Sequence, residues 1–406
     1  MAADRKAVLW IVSELYYPEQ TSTGYFLTKI AEGLSDDYDV KVVCGQPSYS
    51  ERGTLAPRHE WRNGTEIHRL RATHFDKDRL VRRAINAITF TLAVAFFSLW
   101  RMRKGDRILA VTNPPSVPMV IGLIGRLKRC RASLLVHDVY PEVLAATGML
   151  SPGKLSYKIL KRVFDATYRS FDRVVVLGDD MAEVVAAKRG GRHEIEKITN
   201  WGDIDEITPL DPRINAFRIE NGLADKFVVQ FSGNIGRTHD VELLMEAADL
   251  LRDDPTIMFL FVGYGGKTGL LTQESIERPN VRFLPRQPRE RLREMLCAAN
   301  VTVISFIDGM FGLSVPSRMY NVMAAGVPII AAAHPRSELA ATVRSQAAGW
   351  LLAERDPRQL AKLVRRLASS DGRDEVTNMG AAGRRAAVAH FSLAAVLDQY
   401  RRHFAE

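Results

Sequence analysis

Short apolar segments alternate with longer helical patterns along nearly the whole chain, and this alternation most constrains the fold. The apolar segments are rich in Val, Ile and Leu, which is typical of strands buried on both faces of a parallel sheet. Strands that alternate with helices predict βαβ units. The first series of predicted strands is Ala7–Val12, Val40–Cys44, Ile108–Val111, Ser133–Val136 and Arg173–Leu177.

The same pattern starts again after Asn200, in a second series of predicted strands: Phe227–Phe231, Ile257–Val262, Val281–Leu284, Val301–Ser305, Val327–Ala331 and Trp350–Leu351. Two series predict two doubly wound α/β domains, and folds of this kind bind ligands outside the carboxyl ends of their strands. We expect an amino-terminal domain over 1–204, a second domain over 205–386, and a terminal helix over 387–406 that can cross back to the first domain.

Length and composition support this organisation. A chain of 406 residues is too long for one ordinary core, and its 46% hydrophobic content excludes a disordered or collagen-like protein. The three cysteines, Cys44, Cys130 and Cys297, lie far apart, so we expect buried thiols and not a disulfide scaffold. The amino terminus lacks the pattern of a secretory signal, which favours a cytoplasmic protein.

The formal net charge of +9 requires an anionic partner: nucleic acid, a membrane surface, or a phosphate-bearing substrate. Residues 84–100 form a stretch of about 25 Å as a helix, without a charged residue. That length is slightly short for a membrane span and fits an interfacial helix, while a buried core helix is the alternative. Basic clusters in the first domain favour an anionic membrane, and no aromatic-basic interleaving supports nucleic acid. The predicted contacts include Arg82, Arg83, Phe96, Phe97, Trp100, Arg101 and Arg103.

Several predicted strands end in small residues, which let a backbone approach a phosphate closely. Gly24 follows the first strand, although an ordinary turn with Thr23 as the helix cap is equally consistent. In the second domain the corresponding residues are Gly233, Asn234 and Arg237, followed by Gly263 and Gly265. The spacing does not match the dinucleotide fingerprint, so a nicotinamide cofactor is disfavoured.

The segment 312–331 is the most informative, because Pro316 and Ser317 suit a helix start that places Arg318 in the first turn. Arginine is unfavourable there on dipole grounds, unless an anion binds beside it. The alternative is a solvated or ion-paired arginine. Asn321 lies one turn further on, in reach of a sugar hydroxyl.

His137 and Asp138 directly follow a predicted strand of the first domain. At that edge of the sheet they can orient a hydroxyl or stabilise developing charge, or they can be a satisfied histidine and a cap. The Asp-Ile-Asp sequence at 203–205 is interpreted as structural and not as a metal site.

These motifs carry a resemblance. PSRMYNVMAAGVPIIA is similar to the donor-site helix of retaining family 4 glycosyltransferases, and VHDVYPEVLAATGML, ITNWGDID, FVVQFSGNIG, NVRFLPRQPRERLREML and LYYPEQTSTGYFLTKIAEGL resemble further segments in the same order. Within that family the chain most resembles a branch of bacterial exopolysaccharide and O-antigen transferases, the colanic-acid fucosyl- and N-acetylfucosaminyltransferase type.

The resemblance implies a GT-B fold with an interdomain cleft and a nucleotide-sugar donor, UDP- or GDP-linked, with no metal or other cofactor. It implies catalytic roles for His137, Asp138, Glu142 and Arg318, with Asp138 and Glu142 favoured over His137. Arg286 and Gln287 are placed beside the nucleobase, and Tyr17 and Glu19 on the acceptor side. The chain departs from the family pattern where Asn321 replaces a glutamate, and where Asn234 and Thr238 replace the basic residues that hold the diphosphate.

The sequence thus predicts a retaining, metal-independent transferase that moves a sugar to a polyprenyl-diphosphate-linked glycan at the inner face of the cytoplasmic membrane. Its partners would be the nucleotide-sugar, the lipid-linked acceptor and an anionic membrane, without nucleic acid. A nucleotide-sugar 2-epimerase of the same fold is the first alternative, because it needs no acceptor. A non-enzymatic membrane or nucleic-acid binder is the second.

Overall fold

A computed structural model describes residues 6–47, 55–73, 75, 80–191 and 194–405. Contacts divide the chain into two compact units. The first unit comprises Met1–Ala145, Leu150–Thr199 and Val396–Glu406, and the second comprises Ala146–Met149 and Asn200–Ala395. The last segment of the chain is therefore counted with the first unit.

In the first half of the chain the elements are, in order, β1 (Val8–Val12), α1 (Ser22–Leu34), β2 (Asp39–Cys44), β3 (His59–Arg62), β4 (Thr65–Arg69), α2 (Leu80–Arg101), β5 (Arg107–Val111), α3 (Val117–Lys128), β6 (Arg131–Leu135), α4 (Glu142–Ala146), α5 (Leu155–Ser170), β7 (Arg173–Val176), α6 (Asp179–Arg189) and β8 (Ile195–Lys197). The strands form one sheet in the order β3-β4-β2-β1-β5-β6-β7-β8. Only the β3–β4 pairing is antiparallel among the pairs of this sheet within the described residues.

The second half contains α7 (Ala216–Glu220), β9 (Phe227–Asn234), α8 (Glu242–Leu250), β10 (Ile257–Tyr264), α9 (Thr268–Glu277), β11 (Val281–Pro285), α10 (Leu292–Leu296), β12 (Val301–Ser305), α11 (Arg318–Ala324), β13 (Ile329–Ala332), α12 (Glu338–Ser345), β14 (Gly349–Leu352), α13 (Pro357–Ala368), α14 (Arg373–His390) and α15 (Leu393–Ala405). Its sheet has the order β11-β10-β9-β12-β13-β14 with every described pair parallel. The predicted α/β fold class, two parallel-sheet Rossmann-like domains, is confirmed.

All of the predicted strands are present, with ends that shift by at most three residues. The sequence pattern missed β3, β4 and β8, because β3 and β8 are short and mostly polar, and β4 carries Glu66, His68 and Arg69 in a buried strand. These charged residues break the apolar run by which a buried strand is recognised. The predicted helix over 84–100 extends over Leu80–Arg101, about 33 Å in length.

Helices cover both faces of the first sheet. Right-handed crossovers put α1 on one face, because the chain moves from β1 outward to β2. The helices α2, α3, α5 and α6 connect strands in the opposite direction and therefore cover the other face, where α2 packs against α3 and α3 against α5. The terminal helix α15 lies beside α1, where Arg401 Nη2 donates to the carbonyl of Gly33 at 3.1 Å.

The three cysteines are buried free thiols, as predicted. The core of the second unit is a continuous apolar cluster, in which Phe231, Phe259 and Phe261 are fully buried. This rigid sheet fixes the positions of the loops at its carboxyl edge.

Candidate active site

Four segments converge at the carboxyl edge of the second sheet. Gly263 of β10 is in register with Gly233 of β9 and with Pro285 of β11, so the three strands end at the same level. The first residue of α11, Arg318, lies directly beside Gly233. β9 has β10 on one side and β12 on the other, which makes this the topological switch point where such sheets bind ligands.

Arg318 extends from the start of α11 across the end of β9. Its Nη1 donates to the carbonyl of Ser232 at 2.8 Å, and Nη2 donates to Nε2 of His239 at 2.7 Å. The guanidinium carbon lies 4.6 Å from the centre of the Phe231 ring. These contacts hold the cation in one place at the edge of the sheet.

His239 sets this geometry and was missed by the sequence analysis. Its Nδ1 donates to the carbonyl of Ser305 at 2.8 Å, which leaves Nε2 as the acceptor for Arg318. Burial, followed by the charge of Arg318, lowers the pKa of His239 to about 3, so the ring is neutral at physiological pH. No motif marks this residue, since its partners come from β12 and α11, which lie far away along the chain.

Arg318 has no anionic partner among the residues that the structure describes, because each of its hydrogen bonds ends on a carbonyl oxygen or a neutral imidazole. Burial lowers the pKa of Arg318 to about 10, which leaves it charged at neutral pH. A shielded cation normally requires a counter-charge. The arrangement therefore favours binding of an anion such as a phosphate, and not the ion pair that was the alternative.

The glycines at this edge bring three backbone segments close together. Gly233 has φ +116°, in the region that favours glycine, and a Cβ on it would lie 3.5 Å from the Arg318 guanidinium carbon. A Cβ on Gly265 would lie 2.5 Å from the carbonyl oxygen of Ile235 and 2.8 Å from Oδ1 of Asn234. The turn after β10 thus packs directly against the turn after β9.

Gly265→Ala is expected to destabilise the second unit by about 1–3 kcal/mol, since the new methyl group overlaps backbone and the residue keeps a positive φ. Gly266→Ala is the matched control, because a Cβ there has no atom within 4 Å and the residue has no positive φ. Chemical unfolding of the two variants measures the difference. Equal midpoints would contradict the close approach of the two turns.

The remaining predicted donor residues of this unit lie at the same edge with different roles. Arg237 is exposed and has no hydrogen bond or ion pair within the described chain, while Arg286 lies over the Tyr264 ring at 5.4 Å. Gln287 donates to the Pro285 carbonyl at 2.9 Å. Pro316 is buried and Ser317 is the N-cap residue of α11.

Asn321 has a structural contact. Its Oδ1 accepts from the backbone N–H of Asp203 at 3.0 Å, and Asp203 pairs with Arg289 at 2.6 Å. The amide oxygen is therefore used to hold the 203–205 segment, which agrees with the structural interpretation of that segment. A donor contact from Asn321 stays a prediction.

At the carboxyl edge of the first sheet, His137 follows β6. Its Nδ1 lies 3.3 Å from Thr23 Oγ1, and its backbone N–H donates to Thr112 Oγ1 at 3.0 Å. Nε2 is shielded from solvent and has no hydrogen-bond partner within the described chain. Burial lowers the pKa of His137 to about 4, so a neutral imidazole presents one unused nitrogen.

The two carboxylates favoured by the sequence have other contacts. Both oxygens of Glu142 accept from the Nζ of Lys188, at 2.7 and 2.8 Å, and Lys188 also pairs with Asp165 at 2.8 Å. Lys188 therefore neutralises the negative charge of Glu142, which favours a structural role for this carboxylate. The backbone N–H of Asp138 donates to Thr112 Oγ1 at 3.3 Å, and the residue is half-buried. The catalytic role of the Asp138 carboxylate stays a prediction.

Gly24 is closely packed in the structure, and its predicted phosphate contact stays a prediction. The N-cap residue of α1 is Thr21 and not Thr23, and Thr21 Oγ1 accepts from the Gly24 N–H at 3.3 Å. A Cβ on Gly24 would lie 2.8 Å from the Glu19 carbonyl oxygen. Glu19 itself is buried, and the guanidinium carbon of Arg62 lies 3.7 Å from the centre of the Tyr17 ring. The acceptor-side roles of these two residues stay predictions.

The predicted membrane residues divide into two groups. Phe97 is half-buried, with its ring centre 5.8 Å from Trp10 and 5.1 Å from His68, and its membrane contact stays a prediction. The others are exposed: Arg82, Arg83, Phe96, Trp100, Arg101 and Arg103. Among the described helices α2 alone is long and apolar enough to cross a membrane, and 28% of its apolar window is buried. A helix with less than a third of this window buried is not mostly enclosed by the first unit, which favours the interfacial alternative.

His59, Glu66 and His68 form the one group in the described residues that could hold a metal ion, with ligand atoms within 4.8 Å of one another. The Nζ of Lys41 lies 2.6 Å from Glu66 Oε2 and already balances the carboxylate. Hydrogen bonds from Lys41 and His59 hold the pKa of Glu66 at about 2, although burial opposes this. An internal ion cluster accounts for these contacts without a metal.

Comparisons with known proteins agree with the resemblance to glycosyltransferases. The model of the family described as Glycosyl transferases group 1 matches residues 213–386. The chain is 29% identical to the probable glycosyltransferase WbjE of Pseudomonas aeruginosa, over 90% of each chain. It is 26% identical to the putative colanic acid biosynthesis glycosyl transferase WcaI of Escherichia coli K12, over 80% of this chain and 83% of that one.

A solved structure extends the similarity to the whole fold. HepE of Anabaena, in a crystal structure with UDP-glucose, superposes with a TM-score of 0.71 at 14% identity, over 98% of this chain and 99% of that chain. At this identity the likeness concerns the fold, which is GT-B.

Proposed function

We propose that the chain is a group 1 glycosyltransferase that moves a sugar from a nucleotide diphosphate sugar to a lipid-linked glycan in bacterial surface-polysaccharide biosynthesis. A nucleotide diphosphate sugar is inferred as the donor from Arg318, which is a shielded cation without an anionic partner in the described chain. Its guanidinium lies beside the end of β9, where a diphosphate can bind to the guanidinium and to the nearby backbone. UDP in the HepE complexes supports a nucleotide donor.

We propose retention at the anomeric carbon, with a reaction on one face of the sugar. The bond between the anomeric carbon and the phosphate oxygen breaks, and its electron pair leaves with the diphosphate. The acceptor hydroxyl forms the new bond on the same face and gives its proton to a leaving phosphate oxygen. Arg318 stabilises the charge that develops on that phosphate, and no protein nucleophile is required.

A lipid-linked acceptor is supported by the exposed apolar side of α2. Asn86 is 3% exposed and Ser98 is fully buried, whereas Phe96 and Trp100 are 75% and 83% exposed. Asn86 Oδ1 accepts from the N–H of Phe75 at 3.0 Å, so this polar side chain packs on the protein, together with Phe90 and Val94. An apolar outer side beside basic residues is typical of peripheral association with an anionic membrane, where the acceptor resides.

The direct test incubates the purified protein with UDP-, GDP-, TDP- and ADP-sugars and a polyprenyl-diphosphate sugar. We expect one donor class to yield a lengthened lipid-linked glycan with retained anomeric configuration, as measured by mass spectrometry and NMR. Donor without acceptor serves as the control, because a 2-epimerase would convert the donor alone. Failure with every donor, in protein that binds a nucleotide, would overturn the proposal.

A further inference from the structure

The helices α2, α3 and α5 each leave an apolar stripe exposed. On α2 the stripe is Val81, Ile85, Ile88, Leu92, Phe96, Leu99 and Trp100, at spacings of one helical turn. On α3 it is Leu123 and Leu127, and on α5 it is Leu155, Ile159 and Val163. A soluble helix normally buries such a stripe, so the three helices require a covering partner.

The three stripes belong to one surface. The helices α2, α3 and α5 cover the same face of the first sheet, and they are neighbours in that order because α2 packs on α3 and α3 on α5. Their inner sides pack on the protein through Phe90 and Val94 of α2, Ile121 of α3 and Phe164 of α5, all buried. Their outer sides therefore form one layer that faces solvent on the side away from the sheet.

The charges on these helices identify the partner. Neither α2 nor α3 contains an acidic residue, and the one acidic residue of α5, Asp165, is paired with Lys161 at 2.8 Å and with Lys188 at 2.8 Å. The basic residues of the three helices are Arg82, Arg83, Arg101, Arg126, Lys128, Lys158, Lys161, Arg162 and Arg169. An apolar surface flanked by positive charge complements an anionic bilayer, whereas an uncharged apolar partner would leave this charge unmatched.

A groove on the surface adds depth to the apolar face. It has a volume of about 350 Å³ and lies between α2 and the segment after β4, lined by Leu70, Arg71, Ala93, Phe96, Phe97, Trp100 and Arg101. Apolar atoms dominate its walls, and two arginines supply its charge. This combination suits the acyl chain and the phosphate of one phospholipid.

We propose that α2, α3 and α5 together form a docking surface for an anionic phospholipid bilayer, into which all three helices insert their outer side chains. The proposal deepens the membrane association in the proposed function and does not depend on the transfer reaction. It extends the contact beyond α2 to side chains on α3 and α5 that carry no sequence motif. One helix alone gives marginal attachment, while three neighbouring helices fix the orientation of the first unit on the membrane.

The test measures partition of the purified protein onto vesicles of phosphatidylglycerol with phosphatidylcholine, and onto phosphatidylcholine alone. Leu127→Ser combined with Ile159→Ser is expected to weaken binding to the anionic vesicles at least about tenfold, since two apolar side chains are lost from the contact. The matched control is Ile276→Ser, an aliphatic side chain on α9 that is 83% exposed and lies in the second unit. We expect the control to bind like the unaltered protein.

A second pair of variants tests the charge. Lys158→Glu with Arg162→Glu on α5 is expected to reduce binding to anionic vesicles by more than about 25-fold, because each basic residue contributes about fivefold. Arg358→Glu with Lys362→Glu on α13 has the same spacing on an exposed helix of the second unit and is expected to change binding little. Phosphatidylcholine vesicles should bind weakly in every case.

Other outcomes separate this proposal from the proposed function. Transfer to a detergent-solubilised acceptor should be unchanged in Leu127→Ser/Ile159→Ser, so loss of vesicle binding with retained transfer supports the docking surface. Equal vesicle binding by this variant and Ile276→Ser would overturn it, whatever the transferase assay shows. A stable dimer of the unaltered protein that becomes monomeric in the variant, without vesicle binding, would show that a second copy covers the surface and would also overturn it.

Discussion

Arg318→Ala is expected to weaken binding of a nucleoside diphosphate by about 1.5–3 kcal/mol, or roughly tenfold to more than a hundredfold in Kd. The guanidinium is held by the Ser232 carbonyl and by His239, with no anionic partner in the described chain, so its charge is available to a ligand. The rate of transfer should fall further, by about 10²–10³, if the charge that develops on the leaving diphosphate is stabilised here. Titration calorimetry with UDP and GDP measures the first effect, and steady-state kinetics the second.

Two variants control this experiment. Arg318→Lys keeps a positive charge but loses the planar pair of donors, so we expect an intermediate affinity. Arg358→Ala removes an exposed arginine from α13 and should leave affinity unchanged. Thermal unfolding checks that Arg318→Ala remains folded. An unchanged Kd in folded Arg318→Ala protein would remove the residue from the donor site.

His137→Ala is expected to lower kcat by about 10²-fold, with a smaller effect on nucleotide affinity. The imidazole is held at Nδ1 by Thr23, and its shielded Nε2 has no partner in the described chain, which leaves that nitrogen for a substrate hydroxyl. A structural role alone would lower stability and affect the measured parameters together. The split between kcat and KM therefore distinguishes positioning of substrate from general destabilisation.

The pH profile gives an independent test of the same residue. Because burial lowers the pKa of His137 to about 4, the neutral form predominates throughout the physiological range. The contribution of His137 to the rate should therefore be constant between about pH 8 and pH 6 and should be lost only as the pH falls towards the folded-state pKa. His390→Ala, at an exposed position on α14, is the matched control. A rate that titrates near pH 6.5 and loses this dependence in His137→Ala would contradict the neutral state.

The candidate site shows what local pattern can and cannot predict. Arg318 was predicted because its own position, in the first turn of a helix after Pro316 and Ser317, is unfavourable without an anion. His239 was missed because its contacts with Ser305 and Arg318 join segments far apart in the sequence. Glu142 was favoured through the family resemblance, whereas its ion pair with Lys188 of α6 exists only in the folded chain.

The helix α2 makes the same distinction. The uncharged stretch over 84–100 predicted a helix with an apolar surface, and composition placed basic residues on both sides of it. Composition did not reveal which side faces outward, since Asn86, Thr91 and Ser98 are buried beside Phe90 and Val94, while Phe96 and Trp100 are exposed. The inward orientation of the polar residues depends on their partners, such as Ser116 Oγ, which lies 2.7 Å from Thr91 Oγ1.

The sequence by itself determined the two series of parallel strands, the glycine turns after β9 and β10, and the cation at the start of α11, because each depends on periodicity or on one residue's local conformation. Only the tertiary structure decided which polar groups already have partners and which do not. Glu142 and the side-chain oxygen of Asn321 already form hydrogen bonds with distant segments of the chain. In the described chain Arg318 has no anionic partner, and Nε2 of His137 has no hydrogen-bond partner. Such pairing depends on distances of a few ångströms across the fold, which residue order along the chain does not encode locally.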